Sequence, residues 1–201
     1  AFAAYHEGSG HCGALIEWFY RDGEETLVHA GDLLQSVVQP DLDRKQGRRH
    51  NLKDNIRLLR LLAQQGVLKM DWRKWWVDAL LFDCLIGNTD RHQDNWGFLF
   101  TRGRRTPACR LTPLFDNGTS LGHERFPERV ASWSPDQLAR YVRKGTHHVH
   151  RSLDDPPETQ GHVELLSWML AEWPETRDGA MSRIAGIGTG DLRDAIGDLL
   201  R

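Results

Sequence analysis

Two carboxylates and one amide in the middle of the chain have the residue types that metal-assisted proton transfer requires. Asp90 lies in the polar loop NTDRHQDN, which follows a strongly apolar segment, and Asn95 lies at the end of the same loop. Asp116 follows a second apolar segment, LTPLF, and precedes an Asn-Gly turn. A carboxylate can accept the proton of an attacking hydroxyl, while carboxylate and amide oxygens are ligands that Mg²⁺ prefers. The pattern therefore predicts a general base beside a magnesium site.

The interval between Asp90 and Asn95 strengthens this prediction. Asp-x-x-x-x-Asn is the spacing of protein-kinase catalytic loops, and Phe-Asp-x-Gly after a hairpin is where those enzymes keep a second metal ligand. Each residue taken alone is as readily explained as the end of a helix or a turn, where Asp and Asn are frequent. The order of a buried helix, the Asp90 loop, a hairpin and the Asp116 turn favours a site.

The segments around these residues are expected to form a rigid base of mostly α (α+β) structure. Asp71 is expected to cap a helix over WRKWWVDALLFDCLIG, whose apolar positions cover nearly all faces, as in a central buried helix. Further helices are predicted from Gly31 to Pro40, Asn51 to Gly66, Ser134 to about Arg143, over HVELLSWMLAEW, around 175–185 and over DLRDAIGDLLR. Hairpins are predicted from AFAAYH and ALIEWFY around the turn GSGHCG, and from WGFLF and LTPLF.

Composition limits the classes of protein that fit. The chain has 201 residues, enough for one ordinary domain, and its formal net charge of -2 favours neither nucleic acid nor an anionic membrane as a partner. Its three cysteines are scattered, which fits a reducing cytoplasmic location better than a disulfide framework. No apolar run approaches the roughly 18 residues of a membrane span, and no signal peptide is visible.

GNTDRHQDNWGFLF together with LTPLFDNG resembles the C-terminal kinase lobe of the HipA-like serine/threonine kinase family. The loop is also similar to the D-R-H-x-x-N loop of phosphatidylinositol kinases. LIEWF resembles the family's hinge strand, and TLVHAGDLLQ resembles the segment that starts its first large helix. The likeness covers most of the chain, although only residues 83–118 are specific. It implies a hinge-proximal β-hairpin segment over 1–29 and a helical lobe over 30–201.

This resemblance implies roles for particular residues and an ATP- and Mg²⁺-dependent phosphotransferase activity. Asp90 is the implied catalytic base, with Asn95 and Asp116 as the implied Mg²⁺ ligands and His92 as the residue that braces the loop. Backbone groups of Glu17, Trp18 and Phe19 are implied to meet the adenine of ATP. The implied partners are a protein substrate with Ser or Thr, and an antitoxin or a chain that supplies the missing lobe.

The sequence departs from the family in its first residues. Gly8-Ser9-Gly10-His11-Cys12-Gly13 has the form G-x-G-x-x-G, but only 77 residues separate Gly13 from Asp90 and no V-A-I-K-like lysine follows it. A hairpin turn is the better interpretation. The N-terminal lobe is therefore expected to be absent. This leaves a second function open, a catalytically silent binding module such as a remnant lobe or one part of a split toxin-antitoxin kinase.

Other groups that could carry chemistry are interpreted structurally. Cys84 is expected to be an inert buried thiol. A solvated loop is expected for His147, His148 and His150, rather than a zinc site. Two basic runs are expected to be solvated: Arg44, Lys45, Arg48 and Arg49, and Arg102, Arg104 and Arg105. The clustered tryptophans, Trp72, Trp75 and Trp76, are expected to belong to the core.

Overall fold

A computed structural model describes residues 2–6, 8–15, 17–45, 49–120, 127–154, 160–188 and 190–191. These residues form helices and a three-stranded antiparallel sheet, and a separate two-stranded hairpin precedes them along the chain. This arrangement confirms the predicted mostly helical class with short β-hairpins. None of the described helices has the length and apolar character that a membrane span requires.

The first hairpin consists of β1 (Phe2–His6) and β2 (His11–Leu15). It is antiparallel, with Phe2 opposite Leu15 and His6 opposite His11. The predicted hairpin is therefore present, but its turn is shorter than GSGHCG. Gly10 has a φ of 70°, a left-handed conformation that closes the turn early and returns the chain to the strand at His11. The second strand also ends before the predicted WFY segment.

The main sheet has the order β3-β4-β5, made by β3 (Glu25–His29), β4 (Gly97–Thr101) and β5 (Cys109–Leu111). The predicted pairing of WGFLF with the following segment is the β4-β5 hairpin. Leu27 of β3 lies opposite Leu99 of β4. The β3-β4 pair joins distant parts of the chain and ends at the residues that flank the Asp90 loop.

The helices start where the sequence predicts. Asn51 accepts a hydrogen bond from Asp54 N, Asp71 accepts from Arg73 N and Lys74 N, and Ser134 forms a capping box. The helices are α1 (Ala30–Leu33), which continues as a π-helical turn over Leu34–Val38, α2 (Leu52–Gln64), α3 (Trp72–Ile86), α4 (Pro127–Ala131), α5 (Pro135–Arg143), α6 (His162–Glu172) and α7 (Arg177–Gly186), the last preceded by a 3₁₀ turn over Pro174–Thr176.

Helix α3 is the centre of the core, as predicted. Trp76 is fully buried and meets Trp96 edge to face with ring centroids 5.0 Å apart, while Trp72 meets Trp173 at 5.2 Å. Such aromatic pairs contribute about 0.5–1.5 kcal/mol beyond the area that they bury. They hold the N-terminal half of α3 against the residues that end α6 and that precede β4.

Several sequence interpretations are wrong or incomplete. The loop expected to be solvated buries His147 and Val149, and Cys84 is only half-buried. Burial raises the pKa of Cys84, and the Asp83 carboxylate adds to that rise, so the thiol form is favoured as expected. Arg44 forms ion pairs instead of standing free in solvent. Arg48 and most of DLRDAIGDLLR lie outside the described residues.

Gly97 allows β3 and β4 to approach, and Gly97→Ala is expected to destabilise the fold by about 1–3 kcal/mol. A Cβ at this position would lie 3.1 Å from His29 Cα and closer still to the Val28 carbonyl oxygen, both of which are backbone atoms that cannot rotate away. Chemical denaturation measures the loss. Gly186→Ala, where the added Cβ meets nothing within 4 Å, is the matched control and is expected to leave stability unchanged or slightly raised. Equal effects of the two substitutions would contradict this account.

Candidate active site

The Arg91 guanidinium is the centre of the candidate site. Its Nε and Nη2 donate to the two Asp83 carboxylate oxygens at 3.0 and 2.6 Å. Its Nη1 donates to the carbonyl oxygens of Asn95 at 3.0 Å and Phe115 at 2.8 Å, and Nη2 also donates to Asn117 Oδ1 at 2.6 Å. A guanidinium has five N–H donors, and here five acceptors surround it. One fully buried side chain therefore ties α3, the Asp90 loop and the Asp116 segment together.

Asp83 is the carboxylate that balances this buried charge. Its side chain has no exposure, and besides Arg91 it accepts from Asn88 Nδ2 at 2.9 Å and from His147 Nε2 at 3.0 Å. Burial by itself would raise the pKa of Asp83, but the hydrogen bonds from His147 and Arg91 outweigh it and bring the pKa to about 2. The carboxylate is therefore ionised at any physiological pH.

His147 takes a defined tautomer in this network. Its Nδ1 accepts a hydrogen bond from Val149 N at 3.1 Å, so the proton lies on Nε2, which faces Asp83. The residue comes from the loop between α5 and α6, so a fourth segment of the chain joins the same carboxylate. His147 therefore has a structural role that its position in a polar loop did not indicate.

Asp90 and Asn95 lie at the two ends of one tight loop. Asp90 N donates to Asn88 Oδ1 at 3.1 Å, and Asn95 Nδ2 donates to the Asp90 carbonyl oxygen at 2.7 Å. Because the Asn95 amide nitrogen is used inside the loop, its Oδ1 is the atom left to face a ligand. The Asp90 carboxylate accepts no hydrogen bond from any residue that the structure describes. Asn95 Oδ1 and the Asp90 carboxylate are thus available for the predicted roles.

His92 supports the loop from within. Its Nδ1 accepts from Asp94 N at 3.1 Å, and its carbonyl oxygen accepts from Asn95 N at 3.0 Å. The His148 ring lies beside it, with centroids 5.9 Å apart. Burial lowers the pKa of His148, and the nearby Asp90 carboxylate opposes that shift. The described part of the chain contains no cluster of three or more His, Cys, Asp and Glu side chains arranged around a common point.

A second arginine holds the outer side of the loop. Arg44 forms ion pairs with Asp32 and, at 2.6 Å, with Asp94. His29 Nδ1 donates to the Asp94 carbonyl oxygen at 2.8 Å. Gly31 makes room for this contact, because a Cβ there would lie 2.5 Å from Asp94 Oδ1. The loop is therefore fixed to the end of β3 and the start of α1.

Asp116 is exposed and has a positive φ of 51°, which is uncommon for a residue other than glycine. Within the described residues, its carboxylate forms no hydrogen bond or ion pair. The residues on both sides are held by Arg91, through the Phe115 carbonyl and the Asn117 side chain. Since one Arg91 nitrogen reaches both the Asn95 and Phe115 carbonyl oxygens, these lie within about 6 Å of each other. The Asn95 loop and the Asp116 segment are therefore neighbours in the structure.

The segment predicted to meet adenine approaches the same place. Phe19 stacks on Phe115 with ring centroids 5.3 Å apart, and the Phe19 carbonyl accepts from Arg110 Nη2 at 3.3 Å. Glu17 and Trp18 are exposed. A cavity of about 350 Å³ is lined by Trp18, Phe19, Tyr20, Arg21, Glu24, Glu25 and Arg110. Its size is that of a small-molecule site, but none of Asp90, Asn95 and Asp116 lines it.

Sequence reasoning missed the residues that hold the site together, which are Asp83, Asn88, Arg91, Asn117 and His147. One signal was present. Asp83 is a carboxylate on a helix that is apolar nearly all round, and buried carboxylates need a cationic partner. Arg91 is the nearest arginine along the chain. Nothing in the sequence indicated that His147 would reach the same carboxylate.

Asp83→Asn is expected to lower the free energy of unfolding by about 3–5 kcal/mol, because Arg91 then remains buried without a negative partner. Urea denaturation of the two proteins at pH 7.5 measures the difference. Asp78→Asn is the matched control on the same helix. Asp78 is about one-third exposed and pairs with Lys74 and Arg183, so its loss is expected to cost less than about 1 kcal/mol. A similar cost for both substitutions would contradict a special role for Asp83.

Acid is expected to weaken the fold through His162. Burial lowers the pKa of this side chain from 6.5 to about 4, so the unfolded chain binds a proton in a range where the folded chain does not. The free energy of unfolding therefore falls as pH decreases from 6.5 to about 4. Denaturation at pH 7.5 and pH 5 tests this. His162→Gln is expected to remove about 2 kcal/mol of that fall, and an unchanged pH dependence would refute the assignment.

Comparisons with family models, curated proteins and solved structures each found proteins similar to this chain. A family model described as the HipA-like C-terminal domain matches residues 3–171. The serine/threonine-protein kinase CtkA of Helicobacter pylori strain J99 is 34% identical over 79 residues, which are 38% of this chain and 22% of that protein. The crystal structure of a Helicobacter pylori proinflammatory kinase CtkA has a TM-score of 0.54 and 22% identity, covering 80% of this chain and 52% of that one.

These comparisons differ in what they establish. The similarity to the CtkA crystal structure shows the fold, and this chain spans about half the length of that solved relative. The family model covers most of the chain, including α3, the Asp90 loop, the β4-β5 hairpin and the Asp116 segment. It confirms the resemblance found in the sequence: the chain belongs to the family of HipA-like C-terminal domains, a kinase-like family.

Proposed function

We propose that the chain is the catalytic and metal-binding lobe of an ATP- and Mg²⁺-dependent serine/threonine protein kinase. The observation that carries the proposal is the double contact of Arg91, whose Nη1 donates to the carbonyls of both Asn95 and Phe115. This contact keeps two oxygen-bearing side chains, Asn95 and Asp116, on adjacent loops. A single cation between them would be held by ligands of the kind that Mg²⁺ prefers.

In this proposal each residue has a separate task. Mg²⁺-ATP, when bound, supplies the phosphoryl group. Asp90 accepts the proton of the Ser or Thr hydroxyl, and Asn95 Oδ1 and the Asp116 carboxylate hold the metal. His92 keeps the loop in shape through its hydrogen bond with Asp94 N. The protein's contribution is mainly positioning and charge stabilisation, which the dense hydrogen bonding of the loop supports.

The nucleotide base is proposed to lie against the segment of Glu17, Trp18 and Phe19. Phe19 supports this, since it lines the cavity at that segment and also stacks on Phe115, the neighbour of the proposed metal ligand Asp116. The expected partners, a Ser/Thr-containing protein and an antitoxin or a chain that supplies an N-terminal lobe, are part of the proposal. So is a cytoplasmic location.

Substitutions at Asp90 and Asp116 separate binding from turnover. Asp116→Asn is expected to abolish Mg²⁺-dependent ATP binding, because a metal ligand loses its charge. Asp90→Asn is expected to keep that binding and to lower phosphoryl transfer by at least about a hundredfold, the usual contribution of a general base. Calorimetry with Mg²⁺-ATP measures binding. Transfer of labelled γ-phosphate to Ser- and Thr-containing protein measures turnover.

Asp178→Asn is the matched control, because Asp178 is an exposed carboxylate on α7, away from the loop. It is expected to change neither measurement. Full phosphoryl transfer by Asp90→Asn would refute the assignment of the base. A folded chain that binds no Mg²⁺-ATP would instead favour the silent binding module.

A further inference from the structure

A basic and aromatic groove lies on α4 and α5, outside the candidate active site. It has a volume of about 440 Å³ and is lined by Arg129, Trp133, Gln137, Arg140, Tyr141 and Lys144. Gln137, Arg140 and Tyr141 share one face of α5, and Lys144, the residue that caps the C-terminal end of the helix, continues the same spacing. Trp133 stands before the helix and meets Tyr141 with ring centroids 5.2 Å apart. The groove therefore has an aromatic wall and a row of basic groups along one helix.

Helix α5 is unusual in its surroundings. It is a well-formed helix, with a capping box at Ser134 and Pro135 at its first position, yet none of its residues is buried. Its apolar side chains include Leu138 and Val142, which are 47% and 63% exposed. A folded helix that leaves such side chains in solvent is typical of an interaction surface, and these two lie on the neighbouring face of α5 without lining the groove.

The charge of the groove differs from that of the whole chain. Residues 127–144 contain four basic and two acidic side chains, whereas the chain has a formal net charge of -2. Arg140 and Lys144 are like charges one helical turn apart, an arrangement that costs a few tenths of a kcal/mol. Among the residues that the structure describes, neither forms an ion pair. Their mutual repulsion would be relieved by an anionic partner.

The groove is also connected to the candidate site. The chain enters α4 soon after Asp116, and it leaves α5 through Gly145 and Thr146 directly to His147, which donates to the buried Asp83 carboxylate. The Gly145 carbonyl accepts from His162 N at 3.2 Å, which fixes this connection to the start of α6. A protein segment bound in the groove would therefore contact an element anchored in the same network as the Asp90 loop.

We propose that this groove binds an acidic segment of the protein that is phosphorylated, an inference that rests on the proposed kinase function for the identity of its partner. The row from Gln137 to Lys144 is about 11 Å long, which matches three or four residues of extended peptide. Carboxylates of such a peptide pair with Arg140 and Lys144, and its apolar atoms lie against Trp133 and Tyr141. In the proposed kinase, such a groove favours substrates that carry an acidic segment.

The test measures binding without nucleotide, so it does not depend on catalysis. The probe is a fluorescein-labelled peptide, Gly-Glu-Glu-Ser-Glu-Glu-Gly, followed by fluorescence anisotropy at low salt. The double substitution Arg140→Glu/Lys144→Glu is expected to weaken binding by at least about tenfold, because two attractive pairs become repulsive. Arg140→Gln/Lys144→Gln is expected to give a smaller loss. Both positions are exposed, and thermal denaturation checks that the fold is retained.

Arg57→Glu/Arg60→Glu is the matched control, since it makes the same change of charge on exposed positions of α2. It is expected to alter peptide binding less than about twofold. Equal losses in the two double variants would refute the groove as the site, as would equal binding of a Lys-Ser peptide. Tighter binding of a single-stranded oligothymidine than of the acidic peptide would also overturn the proposal, in favour of nucleic acid.

Failure of this inference can be told apart from failure of the proposed function. A chain that binds Mg²⁺-ATP but not the acidic peptide refutes the groove and leaves the kinase proposal intact. A chain that binds the peptide through Arg140 and Lys144 but does not bind Mg²⁺-ATP supports an acidic-peptide surface, but refutes its role in substrate choice.

Discussion

The buried ion pair between Asp83 and Arg91 is the interaction on which the rest of the site depends. Buried pairs of this kind are weak evidence for stability, because removing two charges from water costs much of what their attraction returns. What such a pair provides is hydrogen bonds of fixed direction, which hold the groups that accept them. An apolar pair of the same volume could fill this space, but it could not hold the carbonyls of Asn95 and Phe115 in fixed positions. The pair thus adds little net stability to the fold, but it defines one geometry for the groups around it.

The Asp90 loop is held on two sides by arginines that differ in their exposure to solvent. On the inner side, Arg91 is excluded from solvent, so its hydrogen bonds are little affected by salt. On the outer side, Arg44 keeps about a third of its side chain exposed while it pairs with Asp32 and Asp94, so ions can screen it. The inner contact therefore fixes the position of the loop. The outer contact joins the loop to β3 and α1 in a way that solution conditions can weaken.

The sequence predicted the parts of this structure that depend on near neighbours. Caps at Asn51, Asp71 and Ser134, the burial of α3 and the β4-β5 hairpin all follow from residues a few positions apart. The parts that it did not predict join distant segments. These are the pairing of β3 with β4, the reach of His147 to Asp83 and the role of Arg44. Such contacts depend on which distant segments meet in the folded chain. Neither hydrophobic periodicity nor capping residues encode that information.

The left-handed backbone at Asp116 restricts which amino acids this position can accept during evolution. Glycine would adopt the positive φ without strain, but it has no side-chain oxygen. Glu would keep the carboxylate, but it tolerates a positive φ poorly. Only Asp and Asn visit this conformation readily and also carry an oxygen one carbon beyond Cβ. Of these two, Asp alone is negatively charged. Mutational drift at residue 116 therefore leads to a neutral side chain, to a strained turn or, with glycine, to the loss of the oxygen that the proposed Mg²⁺ site requires.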